Sequence, residues 1–259
     1  MLEAKLIQGS VLKKVVDALK ELVNEANFDC NDSGIQLQAM DQSHVALVSL
    51  LLRADGFDPY RCDRHLTLGI SLVSLTKILK CSGNDDYITI KADDAGETLN
   101  LTFGSQKEDR ISEFDLKLMS IDSDHLGIPD TKYDTVITMS STEFMRICRD
   151  LSTISDSVTL DVSKGGIRFS TSGEHGNGSV FIKPGSSVDE DDSSTTTIRC
   201  GNPVSLKFAL KYLLNFTKAT PLSSTVTLSI LENVPILVEY PIGDMGYLQF
   251  YLAPKIDEE

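Results

Sequence analysis

Tryptophan is absent from these 259 residues, and aromatic side chains make up only 7% of them. Stacking on single-stranded bases needs aromatic platforms, so that kind of ligand is poorly supported. No apolar run approaches the roughly 18 residues of a membrane-spanning helix, and the chain reads as soluble. The opening MLEAKLIQGS lacks the basic stretch, apolar run and small-residue cleavage site of a secretory signal, which predicts a protein that stays inside the cell. Its five cysteines, Cys30, Cys62, Cys81, Cys148 and Cys200, are odd in number and scattered. They fit a reducing compartment better than a disulfide framework. Positive charge is scarce as well: 24 Lys and Arg face 38 Asp and Glu, for a formal charge of −14. Taken alone, that balance argues against nucleic acid, because polyanions repel.

Motifs of chemistry are missing too. There is no GxxxxGK[ST] phosphate loop, and the stretch GEHGNGS (Gly173 to Ser179) has the wrong spacing and no lysine. Cys62 and His65 have a metal-like separation, but no second pair follows at finger spacing. The pairs Asp85-Asp86 and Asp93-Asp94 stand at turns, where Asp bonds to local backbone. The acidic run at 189–192, set among Ser and Thr, reads as a solvated loop. The expectation is a protein without catalytic residues, metal or cofactor.

What is present is periodic. Apolar spacing predicts four helices, at about 10–24, 71–82, 141–155 and 209–219, with Ser10 and Thr142 as N-caps of the first and third. Almost everything else alternates as half-buried strands separated by turns such as Asp32-Ser33-Gly34 and Lys164-Gly165-Gly166. The two halves repeat. At an offset of 132, Val16 falls on Cys148, Leu19 on Leu151, Gly34 on Gly166 and Ile35 on Ile167; at 138, Leu72 falls on Leu210, Leu75 on Leu213 and Lys80 on Lys218. Two copies of one sheet-and-helix domain, 1–118 and 136–259, are the simplest account. The fold class expected is therefore α+β, with antiparallel sheets and two helices in each domain. Residues 119–135 show neither period and read as a connecting loop. Leu126 and Ile128 sit in its middle, either as anchors onto the protein's own surface or as a docking site.

The predicted helices carry Lys13, Lys14, Lys20, Lys77, Lys80, Arg146, Arg149, Lys211 and Lys218 against Asp17, Glu21, Glu143 and Asp150. Nine basic less four acidic residues is +5, which leaves −19 for the rest of a chain of −14. The cations avoid the apolar stripes, so each helix has an oily side and a cationic side. One such face is ordinary solvated surface; four in an acidic chain point to a polyanion. Lysines on flexible stems suit phosphate contact without base reading, and duplex DNA held without sequence preference is the ligand they fit.

Several segments, MLEAKLIQGSVLKKVVDALKELV, AMDQSHVALV, YRCDRHLTLGISLVSLTKILKC, FDLKLMSIDSDHLGIP, FTKATPLSSTVTLS and YLAPKIDEE, together resemble the eukaryotic proliferating cell nuclear antigen family of DNA sliding clamps along essentially the whole chain. The resemblance implies a nuclear, homotrimeric ring of six similar domains with duplex DNA threaded through it. It implies a processivity factor for DNA polymerase delta, opened by a clamp loader and shared with flap endonuclease, DNA ligase and other proteins bearing clamp-interacting peptides. The family's peptide site, carried over, is Met40, His44, Val45, Leu47, Leu126, Ile128, Pro235, Tyr251, Ala253, Pro254 and Ile256. Ring closure would pair 110–118 with about 175–183 of the next chain, involving Cys81, Arg110, Phe114, Leu151, Ile154, Gly178 and Val180. Lys164 matches the family's ubiquitin acceptor, linked to translesion synthesis. A scaffold that uses only the linker groove, without DNA, is the competing reading, and a hydrolase built on scattered Asp and His is a third.

Overall fold

The computed structural model describes residues 1–105, 107, 109–122, 127–128, 131–185 and 195–256. Leu126 and the acidic run at 189–192 lie outside the described residues. The chain divides into two compact units. One comprises Met1–Gln42, Val48–Gly127 and Ile242–Leu248; the other comprises Ser43–Leu47, Ile128–Pro241 and Gln249–Glu259.

The first unit is built from β1 (Leu2–Leu6), α1 (Ser10–Leu19), β2 (Glu25–Asn31), β3 (Gly34–Met40), β4 (Ala46–Arg53), β5 (Tyr60–Cys62), β6 (Leu66–Ser71), α2 (Leu72–Leu79), β7 (Tyr87–Ala92), β8 (Thr98–Gly104) and β9 (Ile111–Lys117). Ala46 and Leu47 of β4 group with the second unit. Its strands run in the orders β5-β1-β7-β8-β9 and β4-β3-β2-β6. The second unit holds β10 (Thr135–Ser140), α3 (Ser141–Ser152), β11 (Ser157–Ser163), β12 (Gly166–Gly173), β13 (Gly176–Ile182), β14 (Thr197–Cys200), β15 (Val204–Ala209), α4 (Leu210–Phe216), β16 (Thr225–Ile230), β17 (Ile236–Ile242) and most of β18 (Gly246–Leu252). Its orders are β14-β10-β16-β17-β18 and β13-β12-β11-β15. Adding nine to each strand number of the first unit reproduces the second, so the sequence repeat is a repeat of topology. The offset of 132 joins β2 and β3 to β11 and β12, and 138 joins β6, α2, β7 and β8 to β15, α4, β16 and β17. Antiparallel pairing with one face buried gives the alternation seen in β4, β10 and β18.

One strand pair appears in both units. Arg53 N–H at the end of β4 donates to Met245 O beside β18 (2.7 Å) within the first unit. Ala253 N–H, just past β18, donates to Val45 O (3.2 Å) within the second. By contrast β9 and β13 stand at the ends of their strand orders, each with one neighbour among the described residues.

The helices pack in pairs, α1 on α2 and α3 on α4. Each pair also touches its unit's sheets: α2 meets β2, β6 and β9, and α3 meets β10, β12, β13 and β16. Leu12, Val15, Val16 and Leu19 are the buried stripe of α1, and Phe144, Ile147, Cys148 and Leu151 that of α3. Phe216 of α4 stacks on Phe250 of β18 at 4.5 Å, and Phe144 meets Phe169 of β12 at 6.3 Å. Burying an aromatic of this size removes a large apolar area from water, about 2–3 kcal/mol each, and fixes the helices on the sheets.

Both expected N-caps are displaced. Gly9, not Ser10, precedes α1, and no side chain caps it. A Cβ at residue 9 would stand 2.5 Å from Ile88 Cγ1 and 2.6 Å from Asp86 O, so close approach reserves the cap position for glycine. In α3 the cap is Ser140, whose Oγ accepts Glu143 N–H at 3.4 Å. Ser141 is held by Ser224 O and Ser223 O, which starts the helix before Thr142. The fourth helix ends at Phe216 and continues as a 3-10 turn, Thr217–Leu222, because Pro221 has no N–H to extend the ladder. Gly34 and Gly166, paired by the repeat, have φ of 140° and 154°, and a Cβ there would stand 2.1 Å from Leu52 O and 2.4 Å from Ile182 O. Only glycine fits these two hairpin turns.

Candidate nucleic-acid interface, partner groove and edge strands

The nine cations are distributed along the four helices and their ends. Lys14, Lys77, Lys80, Arg146, Arg149, Lys211 and Lys218 are exposed, and Lys13 and Lys20 are half-buried. They alternate with the buried stripes because residues three and four apart share one helix face, which leaves the intervening positions to water. Several are engaged. Lys20 Nζ lies 2.6 Å from Asp17 Oδ1, Arg146 Nε 3.6 Å from Glu143 Oε2 and Arg149 Nη2 3.2 Å from Asp150 Oδ1. Lys211 Nζ sits 4.7 Å above the Tyr212 ring. Lys14, Lys77, Lys80 and Lys218 make no ion pair among the described residues. In the first unit a cleft of about 570 Å³ opens between α1 and α2, with Lys13, Lys14 and Lys80 on its walls. Exposed pairs of this kind are each worth little to folding, so these cations are held only lightly from an outside anion.

Of the proposed peptide-site residues, His44, Val45, Leu47, Ile128, Pro235, Tyr251, Ala253, Pro254 and Ile256 belong to the second unit, and Met40 to the first. Val45 is 37% exposed and Ile256 89%, while Leu47, Ile128, Tyr251 and Pro254 are half-buried. The structure joins Val45 to Ala253 through the backbone bond already given. His44, at φ 55°, turns the chain into β4. Two side chains that sequence reasoning missed secure the ends of the connecting loop. Asn27 Nδ2 donates to Ile121 O (3.0 Å) in the first unit, and Tyr133 Oη donates to Pro235 O (3.1 Å) in the second. Burial pushes the Tyr133 hydroxyl pKa up, which keeps it a donor. A tyrosine inside a polar linker was the available signal.

The edge residues also fall into groups. Arg110, just before β9, donates from Nη2 to Cys81 O at 3.4 Å and lies 3.8 Å from Asp86 Oδ2. Phe114 on β9 is half-buried, its ring 5.4 Å from Phe103. In the second unit a Cβ on Gly178 of β13 would stand 2.6 Å from Ile154 Cδ1 and 3.3 Å from Leu151 Cδ2, so these three pack together. Val180 continues along the same face of the strand. Lys164 is exposed in the turn between β11 and β12, where Ser163 Oγ accepts Gly165 N–H. Cys62 and His65 do not meet: Cys62 Sγ bonds Arg64 O at 3.0 Å, and His65 Nε2 lies 3.8 Å from Asp29 Oδ1.

Two family models cover almost the whole chain: proliferating cell nuclear antigen, N-terminal domain, on residues 1–126, and proliferating cell nuclear antigen, C-terminal domain, on residues 127–255. The proliferating cell nuclear antigen of Chaetomium thermophilum is 57% identical over 259 residues, spanning all of both chains. With its duplicated α+β units, cationic helix faces and unpaired edge strands, the chain belongs to the proliferating cell nuclear antigen family.

Proposed function

We propose that this chain performs its family's role, that of a DNA sliding clamp and polymerase processivity factor, through the cationic faces of its four helices. The observation that carries this reading is the segregation of charge: cations stand on the solvent side of all four helices of a chain with a formal charge of −14. Threefold repetition of Lys14, Lys20, Lys77, Lys80, Arg146, Arg149, Lys211 and Lys218 would line a channel, with acidic surface elsewhere discouraging adhesion of DNA outside it. Contact is with phosphate alone, so the ring slides, and retention is topological.

The repeat itself supports the closure of the ring. Within the chain β4 runs beside β18; the counterpart of β4 is β13, and that of β18 is β9. The edge strands β9 and β13 are thus the repeat's copies of a pair the chain already makes. β9 of one protomer pairing with β13 of the next would repeat that arrangement and remove two exposed edges per joint. Cys81, Arg110, Phe114, Leu151, Ile154, Gly178 and Val180 flank this joint.

The domain division 1–118, 119–135 and 136–259 then places the connecting loop between two copies of one fold. The apolar patch of Val45, Leu47, Ile128, Pro235, Tyr251, Ala253, Pro254 and Ile256, with Met40, His44 and Leu126, receives short partner peptides whose apolar and aromatic anchors bury there. DNA polymerase delta, the clamp loader, flap endonuclease and DNA ligase are the partners this site suits. Lys164, on an exposed turn, serves as the ubiquitin acceptor. The protein works in the nucleus and carries no catalysis of its own.

The test is primer extension by polymerase delta on a long loaded template with Lys14, Lys77, Lys80 and Lys218 all changed to Met. Trimers that load yet lose most of the stimulation are expected. Full stimulation by such trimers would contradict the channel assignment and favour a scaffold that acts only through the peptide site.

A further inference from the structure

Lys13 stands apart from the other helical cations, because its ammonium is bonded to backbone carbonyls of another segment. Its Nζ donates to Ser82 O at 2.5 Å, in a half-buried setting, and lies 3.5 Å from Gly83 O. These carbonyls belong to the segment 81–86 that leaves α2 for β7. Ser82 is buried, and its Oγ donates back to Leu79 O at 3.0 Å. Gly83 N–H donates to Asp86 Oδ2 at 2.6 Å, and Asp86 O accepts the N–H of Gly9 at the start of α1 at 3.1 Å. The same segment holds Arg110 from its other side, through Cys81 O and Asp86 Oδ2. One short loop therefore fastens α1, through Lys13 and Gly9, to the residue from which edge strand β9 sets out.

The chemistry of the contact favours this arrangement over a phosphate contact. Ser82 O and Gly83 O lie past the end of α2 in a connecting loop, and the ammonium supplies a hydrogen bond that a part-buried carbonyl needs. A lysine so placed leaves for a phosphate only by exposing those carbonyls, whereas Lys14, one residue on, is exposed and without an ion pair among the described residues.

We infer that Lys13 is a positioning residue of the joint between protomers, acting through the 81–86 loop on Arg110 and β9, and not a DNA contact. This rests on the reading of β9 as a ring-closing edge. Removing the ammonium frees the loop, loosens Arg110 and lets the first residues of β9 fray, which weakens each joint while leaving the phosphate-facing cations in place. Lys13 thus ties ring integrity to a helix of the DNA-facing wall.

Lys13→Met keeps the stem and removes the donors; Lys13→Arg keeps charge and donors; Lys14→Met removes a neighbouring charge of the same sign. Three readouts separate the possibilities: the dilution midpoint of the trimer by light scattering, the salt dependence of binding to a short duplex, and hydrogen exchange of the amides at 82–86. For Lys13→Met the expectation is a trimer midpoint raised about tenfold, or about 100-fold in the association constant, the size of one ordinary hydrogen bond lost at each of three joints. Faster exchange at Gly83 and Asp86 and an unchanged salt slope should accompany it, with the midpoint largely restored in Lys13→Arg. Lys14→Met should do the reverse, lowering the salt slope with the midpoint unmoved. A Lys13→Met protein with wild-type exchange at 82–86, or one whose salt slope falls as far as that of Lys14→Met, overturns the inference. If exchange quickens and the midpoint stays put, the strut exists but β9 is not the joint, and the fault lies in the joint assignment.

Discussion

Truncating Phe114 to Ala tests the edge-strand account quantitatively. The ring lies on the inward face of β9 with Leu116, 5.4 Å from Phe103, and in the single chain it is only half-buried. Complete burial makes Phe→Ala cost about 3–5 kcal/mol. The greater part of that is already accounted for by contacts inside the chain, so roughly 1–2 kcal/mol falls to each joint if a neighbouring β13 covers the exposed remainder. Separating a closed trimer into monomers breaks three joints, which brings the loss to about 3–6 kcal/mol, or roughly 10²–10⁴ in the association constant at 1.4 kcal/mol per factor of ten. The midpoint concentration varies as the square root of that constant, so it should rise about 10- to 100-fold. Light scattering across a dilution series reads it directly. Phe250→Leu is the control, since Phe250 is fully buried with its ring against Phe216 and Tyr240, and its loss should lower the melting temperature without moving the midpoint. A Phe114→Ala protein that melts as a folded chain and whose trimer midpoint moves less than threefold would refute the reasoning.

Two further outcomes follow from burial and capping. Burial holds the Cys30 thiol pKa up at about 12 and pushes that of Cys148 higher still, from an ordinary value of 9.0. Both thiols must stay protonated in the fold, whereas unfolded thiols ionise near 9, so their contribution is complete below pH 9 and is lost as pH rises above it. Denaturant melts should show stability falling from pH 9 upward, and alkylation at pH 8 should label exposed Cys81 in monomers well before Cys30 or Cys148; even labelling of all three would contradict the burial account. Ser140→Ala removes the cap of α3 and should cost about 1 kcal/mol, visible as a melting temperature lower by about 2–4 °C. The same change at Thr142, inside the helix, should cost less.

Much of this was legible because it is periodic. The stripes of α1 and α3 and the duplicated offsets of 132 and 138 came from spacing alone, and the repeat carried through to the strand orders. What spacing could not show is what depends on distant chain. Gly9 displaces Ser10 as the residue before α1 because Ile88 and Asp86, some eighty residues on, leave no room for a Cβ. Lys13 looked like its neighbours in the sequence, and only the position of Ser82 and Gly83 distinguishes it from Lys14. Asn27 and Tyr133 hold the connecting loop through single hydrogen bonds to Ile121 and Pro235, contacts with no periodic signature. Strand pairing is of the same kind: β1 lies between β5 and β7, and nothing within five residues of β1 announces either. The peptide-site and joint residues came from resemblance, since an exposed Val45 or an edge Phe114 is unremarkable by composition.

The claim on which everything else depends is that DNA passes through a closed ring of this chain and is held by topology. The measurement that tests it most directly is retention after loading on closed circular duplex at high salt, before and after a single restriction cut. The account predicts trimers that stay with the circle through gel filtration and leave within minutes of linearisation, since sliding meets an open end. Equal retention on circular and linear DNA, or release from both as salt rises, would contradict it.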